Sequence, residues 1–166
     1  MEDLTTRPWE AADRPFLWDM LYLALYVRPG DDPLPRAVLN DPHIAHYLDG
    51  FGERSGDDAE VGLSSGQRVG AAWCRRLTSD DPGYGFVADD VPELGMAVVP
   101  ERRGRGVGRL LLTQLLGRNP AMSLSVDNTN DAAVALYDSL GFVSVGEAGG
   151  SATMRRRPSA GGPPHR

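Results

Sequence analysis

The chain has 166 residues, of which 41% are apolar and 24% are charged, as in an ordinary globular domain. Its length predicts one domain, residues 1–157, followed by a disordered tail at 158–166. No apolar run approaches the roughly 20 residues of a membrane span, and the acidic start lacks a signal-peptide pattern. We therefore expect a cytoplasmic protein that does not bind membranes.

The net charge of −6 is unevenly distributed. Residues 1–93 carry 18 acids against 8 arginines, whereas residues 94–166 carry 5 acids against 9 arginines. The acidic part favours a cationic partner, although solvated surface charge explains the surplus equally well. No basic face with interleaved aromatics is present, so no nucleic-acid partner is predicted. The single Cys74 and the absence of lysine exclude an internal disulfide and a lysine nucleophile.

The first half of the chain predicts a strand, two helices and two further strands. In order, these span residues 4–9, 10–27, 34–48 with a break at 41–42, 59–64 and 67–77. Residues 50–58 and 79–85 form loops, the first of them mobile. Trp18, Tyr22 and Tyr26 recur four apart, which is typical of core or rim aromatics but also suits a pocket wall. His43 and His46 form an H-x-x-H pair without further ligands, so no metal site is predicted.

A strand, a basic glycine-rich turn and a helix follow one another over residues 93–115. The strand opens at Glu93 and stops at Pro100, which cannot donate to a ladder. The turn sets three glycines among four arginines: Gly104, Gly106 and Gly108 with Arg102, Arg103, Arg105 and Arg109. The first N–H groups of a helix lack internal partners and attract anions, and glycine lets an anion approach the backbone. The turn is therefore predicted to bind a phosphate or a pyrophosphate.

The spacing of this turn separates it from two common phosphate loops. A Rossmann turn needs G-x-G-x-x-G, but Arg109 stands at the third glycine, and a Walker loop needs a lysine. The pattern that fits is R-x-x-G-x-G, formed by Arg103, Gly106 and Gly108.

The C-terminal part carries a second motif. A strand at 122–126 precedes a helix at 131–140, which Gly141 ends as a C-cap, and strands at 142–145 and 152–155 close the domain. The helix region reads N-x-x-A-x-x-L-Y-x-x-x-G-F, with Asn130, Ala133, Leu136, Tyr137, Gly141 and Phe142 at the fixed positions.

The two motifs together resemble the signatures of the GNAT N-acetyltransferase superfamily, and the resemblance covers about residues 5–157. It implies a mixed α/β fold: a mostly antiparallel sheet of about six or seven strands with splayed central strands, flanked by about four helices. It also implies acetyl-CoA as acetyl donor. Cofactor-binding residues would be Met96, Ala97, Val98, Arg103, Gly104, Arg105, Gly106, Val107, Gly108, Arg109, Asn130 and Tyr137.

Within that set, the resemblance gives each group a task. The backbone of Met96 and Val98 would pair with pantetheine, and the amides of residues 104–109 would hold the pyrophosphate. The side chain of Asn130 would reach the CoA arm, and the Tyr137 hydroxyl would stand near the thioester sulfur.

The implied reaction is direct attack of a primary amine on the thioester, without a metal or a covalent enzyme intermediate. Tyr137 would protonate the leaving thiolate, and the N–H of Val98 would stabilise the thioester oxygen. Glu93 is the expected base. Many relatives carry a base where this chain has Ser125, which cannot act as one. Glu60, Asp89, Asp90 or a chain of waters therefore remain alternatives.

The acceptor is expected to be a small, cationic amine, bound between the first two helices and the loops at 50–58 and 79–90. A protein N-terminus is the alternative acceptor, and a non-catalytic acyl-CoA-binding module is the alternative function. The oligomeric state is left open as monomer or homodimer.

Overall fold

The computed structural model describes residues 3–158, which form one seven-stranded sheet with helices on both faces. The strands are β1 (Leu4–Pro8), β2 (Asp58–Ser64), β3 (Gln67–Arg75), β4 (Glu93–Val98), β5 (Met122–Asp127), β6 (Val143–Ala148) and β7 (Ser151–Arg156). The helices are α1 (Arg14–Ala24), α2 (Pro42–Ala45), α3 (Val107–Arg118) and α4 (Asp131–Ser139). Short 3₁₀ turns lie at Ala11–Asp13, Arg36–Asn40 and Pro100–Arg102.

The strand order is β1-β2-β3-β4-β5-β7-β6, and every neighbouring pair is antiparallel except β4 and β5. This arrangement confirms the predicted fold class. No helix within residues 3–158 combines the length and the apolar character needed to cross a membrane.

Side-chain alternation along β3 and β4 divides the apolar core into two layers. Trp73 and Ala97 pack on one face with α1 and α2, and Cys74 and Leu94 pack on the other with α3 and α4. The first layer includes Leu17, Met20, Leu48 and Phe51, and the second includes Leu111, Leu112, Leu115 and Phe142. Because Glu93 has the same parity as Ala97 on β4, its side chain belongs to the α1 face.

The centre of the sheet opens into a wedge. β4 and β5 pair at a single register position, Glu93 opposite Ser123, and then separate. The other edge of β5 stays paired with β7 along its whole length. The wedge is therefore a gap between two parallel strands, each of which is paired on its other edge with an antiparallel neighbour.

Two predicted features of the N-terminal half differ from the structure. The helix expected at 34–48 is only a 3₁₀ turn, Arg36–Asn40, and the four-residue α2. Asp41 is extended, with ψ at 123°, and Pro42 follows it, so the segment divides at the expected break, although Ile44 and Leu48 still pack into the core. The loop at 50–58 is anchored rather than mobile, because the buried Arg75 guanidinium pairs with Asp57 at 2.8 and 2.9 Å.

The remaining differences concern element ends. The first helix stops at Ala24 rather than at residue 27. The predicted tail at 158–166 lies outside the described residues except for Pro158.

Candidate active site

A cavity of about 690 Å³ occupies the wedge, a volume that suits a small-molecule ligand. Its walls come from three parts of the chain: the end of β4 with the turn before α3, the end of β5 with α4, and the end of α1 with the loop that follows. The third wall is apolar and aromatic, and consists of Tyr22, Leu23, Ala24, Leu25, Tyr26, Val27, Pro33 and Leu34.

The turn before α3 has the backbone of an anion-binding loop. Gly104 and Gly106 have φ values of 75° and 84°, in the left-handed region where other residues are strained. A Cβ at either glycine would meet no atom within 4 Å, so conformation rather than crowding requires glycine there. Gly106 is the N-cap of α3, and the N–H groups of residues 107–109 have no partner within the helix. These amides and the helix dipole favour an anion at this end of the cavity.

Gly108 has a different role from the two preceding glycines. A Cβ there would lie 3.2 Å from Met96 Cε and 3.4 Å from Leu136 Cδ2. Its lack of a side chain therefore lets the first turn of α3 pack closely against the side chains of Met96 on β4 and Leu136 on α4.

The arginines of the turn take different positions. Arg109 donates from Nη2 to Ser139 Oγ at 2.9 Å and so ties α3 to α4. Arg103 donates from Nε to the carbonyl of Val98 at 3.1 Å. Both line the cavity. Arg105 does not belong to the wall, unlike the other residues predicted to bind the cofactor.

The backbone of β4 presents hydrogen-bonding groups to the wedge. Val99 N–H donates to Val69 O on the β3 side, and the paired register continues through Ala97. Because N–H and C=O directions alternate along a strand, those of Met96 and Val98 point away from β3, into the wedge. Ala97 lines the cavity, but its own N–H and C=O face β3.

Asn130 and Tyr137 lie on the α4 wall. Asn130 Oδ1 accepts from the N–H of Ala133 at 3.4 Å and caps α4, whereas its Nδ2 amide makes no hydrogen bond with the described residues. Tyr137 is 8% exposed, and its ring packs edge-on against Phe142 with centroids 5.7 Å apart.

The Tyr137 hydroxyl makes no hydrogen bond with any residue that the structure describes, and burial raises its pKa to about 12. It is therefore protonated at neutral pH, and its residue lines the cavity.

Glu93 lies beside the wedge but outside the cavity wall. Its buried carboxylate accepts from the N–H of Gly83 at 3.0 Å, the N–H of Gly85 at 2.9 Å and the Tyr47 hydroxyl at 3.3 Å. Burial raises the pKa of Glu93, and these three donors partly oppose that rise. A carboxyl with a raised pKa is a better base than one with an ordinary pKa.

The other carboxylates considered as bases also lie outside the cavity wall. Glu60 Oε2 is 3.5 Å from Arg118 Nη1, and Asp89 Oδ1 accepts from the N–H of Ser79 at 2.9 Å. Neither of them, nor Asp90, lines the cavity. Ser125 does line the cavity. It stands at the position where the resemblance led us to look for a base.

Arg28 and Asp127 form an ion pair at the end of β5, with Nε and Oδ2 3.0 Å apart. Asp127 Oδ1 also accepts from the hydroxyl and the N–H of Thr129. Hydrogen bonds from Thr129 and then from Arg28 hold the pKa of Asp127 below its usual value. Asp127 is the sole acid in the cavity wall among residues 3–158, and it is a weak base with a partner of its own.

The sequence identified some residues of the cavity wall and missed others. The aromatics Trp18, Tyr22 and Tyr26 were interpreted as core or rim residues that also suit a pocket wall; Tyr22 and Tyr26 line the cavity, whereas Trp18 does not. No wall residue comes from the loops at 50–58 or 79–90, where the acceptor pocket was expected. Arg28 and Tyr47 meet the site only through contacts between distant segments, which no local motif encodes.

Comparison with known proteins gives a consistent result. Residues 58–144 match the family model for the acetyltransferase (GNAT) domain. The chain is 41% identical over 123 residues to the N-alpha-acetyltransferase RimI of Mycobacterium tuberculosis, which covers 70% of this chain and 66% of that protein. It is 36% identical over 91 residues to the ribosomal protein bS18-alanine N-acetyltransferase of Salmonella typhimurium, which covers 49% of this chain and 57% of that protein.

The chain thus spans about two thirds or less of the length of these curated relatives. Among solved structures, a Salmonella typhimurium acetyltransferase determined with its cofactor acetyl-CoA matches with a TM-score of 0.67 and 22% identity. That match covers 98% of both chains and supports the fold.

Proposed function

This chain belongs to the GNAT acetyltransferase family, and we propose that it transfers an acetyl group from acetyl-CoA to the α-amino group at the N-terminus of a polypeptide. The single observation that carries the proposal is the wedge between β4 and β5, which joins an anion-binding turn to the buried hydroxyl of Tyr137. The acceptor class is drawn from the names of the two curated relatives and from the chemistry of the third cavity wall.

The residues present fit acetyl-CoA. The free amides of residues 107–109 and the left-handed glycines before them suit its diphosphate. The N–H and C=O groups of Met96 suit an amide of the pantetheine arm, which would lie along β4 like an added strand, whereas the Val98 carbonyl already accepts from Arg103. The Nδ2 amide of Asn130 is a further donor to that arm. When bound, acetyl-CoA supplies the acetyl group as an activated thioester.

Three groups of the chain then serve the transfer. The N–H of Val98 donates to the thioester oxygen, on which negative charge grows. Tyr137 gives its proton to the departing sulfur. The raised pKa of Tyr137 keeps its hydroxyl protonated until that step. Glu93 takes up the proton that the attacking amine must lose, with water between them.

The third cavity wall favours a peptide over a polycation. It is built from tyrosine, leucine and proline side chains, and Asp127, the one acid among the described residues of the cavity wall, is already paired with Arg28. A polyamine would need several unpaired carboxylates to replace its water, because buried charge must be matched. A peptide presents one amine and a neutral backbone, which an apolar groove accommodates at lower cost.

Mass spectrometry of acceptor panels tests this function. The protein and acetyl-CoA are incubated with a peptide bearing a free α-amine and an internal lysine, with the same peptide blocked at its N-terminus, and with spermidine. One acetyl group is expected on the α-amine of the free peptide and none on the blocked peptide. Turnover of spermidine alone would replace the peptide with a small cationic acceptor. Saturable acetyl-CoA binding without turnover of any amine would indicate a binding module.

A further inference from the structure

Two buried side chains on the α1 face of the sheet have unmet hydrogen-bonding groups. Trp73 Nε1 and Ser123 Oγ are both fully buried, and neither has a partner among the described residues. Buried polar groups in folded proteins are almost always satisfied by protein, water or a ligand. Each of these two atoms therefore indicates a position that water or a ligand fills.

The indole of Trp73 reaches from β3 across β4. A Cβ built on Gly95 would lie 2.5 Å from Trp73 Cε2 and 2.6 Å from Nε1, so the N–H edge of the ring rests directly over Gly95. Gly95 is two residues beyond Glu93, the last β4 residue that pairs with β5. The unmet N–H thus lies where the two strands begin to separate.

Ser123 approaches the same position from β5. It is the register partner of Glu93, and it shares a sheet face with Ser125, two residues further along the strand. Ser125 lines the cavity. Two residues of a strand span roughly 7 Å, a distance that one or two waters bridge. Ser123 is therefore next to Glu93 in register and two residues along β5 from the cavity wall.

The loop at residues 83–85 packs against the place where Glu93 and Ser123 pair. Gly83 and Gly85 both donate their N–H groups to Glu93. A Cβ on Gly85 would lie 2.4 Å from the carbonyl carbon of Leu124 and 2.6 Å from the nitrogen of Ser125. The loop is thus packed onto β5 beside the junction of Glu93 and Ser123, both of which are buried.

We propose that Trp73 and Ser123 hold an ordered water that carries the proton of the reacting amine to Glu93, a positioning role that depends on the transferase activity proposed above. The amine nitrogen forms the new C–N bond as the thioester C–S bond breaks. The proton released by nitrogen passes to the bound water, which delivers its own proton to the Glu93 carboxylate. The departing sulfur takes the Tyr137 proton.

The groups that face Glu93 suit a proton acceptor. Tyr47 donates to it, and the pKa of Tyr47 is itself raised by burial and by the nearby Glu93 charge, so Tyr47 remains a neutral donor. His46, whose Nδ1 lies 2.9 Å from Asp81 Oδ1, favours the ionised carboxylate. Arg75, the register partner of Glu93 on β3, is occupied by Asp57 and two backbone carbonyls.

The first test needs no activity. A high-resolution crystal structure of the wild-type protein is expected to show a water about 2.7–3.2 Å from both Trp73 Nε1 and Ser123 Oγ. The same water is expected to be absent or displaced in Ser123→Ala. Density that leaves both atoms dry in the wild type would overturn the proposal, whether or not the protein acetylates a peptide.

The second test separates positioning from structure. Trp73→Phe and Ser123→Ala each remove one hydrogen-bonding group and are expected to lower kcat about tenfold, with acetyl-CoA affinity unchanged. Matched controls are Trp18→Phe, away from the cavity, and Ser144→Ala, on the exposed strand β6. Both controls are expected to keep wild-type kcat.

The pH profile of kcat at saturating peptide distinguishes the relay from a packing effect. A limb that depends on Glu93 is expected to vanish in Glu93→Gln. In Trp73→Phe and Ser123→Ala the same limb is expected to shift to higher pH. Each variant loosens the proposed water, and the ionised Glu93 carboxylate then loses a hydrogen-bond donor. Unchanged profiles in both variants, or losses of acetyl-CoA affinity that match the losses in kcat, would assign these residues a structural role and overturn the proposal. If the wild type acetylates no peptide, the proposed function fails instead, and the crystallographic result still decides the water site.

Discussion

Replacing Tyr137 with phenylalanine removes one oxygen atom from the centre of the proposed site. The ring is buried against Phe142, so Tyr137→Phe keeps that packing. The hydroxyl makes no hydrogen bond with residues 3–158, so its loss leaves no protein group unpaired. We therefore expect the free energy of unfolding to change by less than about 1 kcal/mol.

The expected effect on catalysis is much larger. General acid catalysis contributes about 10²–10⁴-fold, so kcat is expected to fall at least about 100-fold, or about 2.7 kcal/mol of transition-state stabilisation. The assay is release of free CoA thiol in the presence of peptide, with acetyl-CoA affinity measured separately by calorimetry. Because burial raises the pKa of Tyr137 to about 12, the hydroxyl stays protonated below that pH, and the wild-type rate should show no loss of this acid at lower pH.

Tyr84→Phe is the matched control, because the Tyr84 side chain is 64% exposed and lies outside the cavity wall. It is expected to behave like the wild type. An unchanged kcat in Tyr137→Phe would refute the acid role. A fall in acetyl-CoA affinity as large as the fall in kcat would show instead that the hydroxyl serves binding.

Three further substitutions test the architecture around the site. Gly106→Ala is expected to cost about 1–2 kcal/mol in stability and to weaken acetyl-CoA binding, because φ is 84° there. Its control is Gly117→Ala in α3, where the new methyl group would meet no atom within 4 Å. That control should stabilise the protein by about 0.5–1 kcal/mol without changing affinity. Gly95→Ala is expected to lower stability by about 1–3 kcal/mol in thermal unfolding, because the indole edge occupies the space of the new methyl group. Asp57→Asn is expected to cost about 3–5 kcal/mol, because it leaves the buried Arg75 charge unmatched; equal stability of this variant and the wild type at pH 7 would contradict that reading. Burial opposes ionisation of Asp57, yet the hydrogen bonds from Arg75 hold its pKa below the usual value, so the wild-type advantage should persist above the ordinary aspartate pKa and disappear as pH falls through the lowered one.

The parts of the site that were predictable from sequence are local in the chain. Pro100 ends β4, the glycines give the turn, and Asn130 precedes α4, so strand, turn and helix could be placed from residues that are neighbours in sequence. The anion-binding backbone of the turn was also predictable, since positive φ and free helical amides depend on the residues of the turn itself.

Long-range contacts could not be predicted in the same way. Glu93 could be proposed as a base from its place at the start of β4, but its donors come from Tyr47 and from the loop at 83–85. The unmet N–H of Trp73 depends on the indole crossing to Gly95 on the next strand. The helix expected at 34–48 was wrong for a local reason: its apolar residues matched a helical period, but Asp41 is extended before Pro42, so only short helical turns form on either side of that break.

A crystal structure of the protein grown with CoA would test the proposed site most directly. The diphosphate oxygens are expected within about 2.7–3.2 Å of the N–H groups of residues 107–109, with the pantetheine arm beside Met96 and Val98 in the wedge. A turn that holds no phosphate, or CoA bound on another surface, would contradict both the binding site and the reaction built on it.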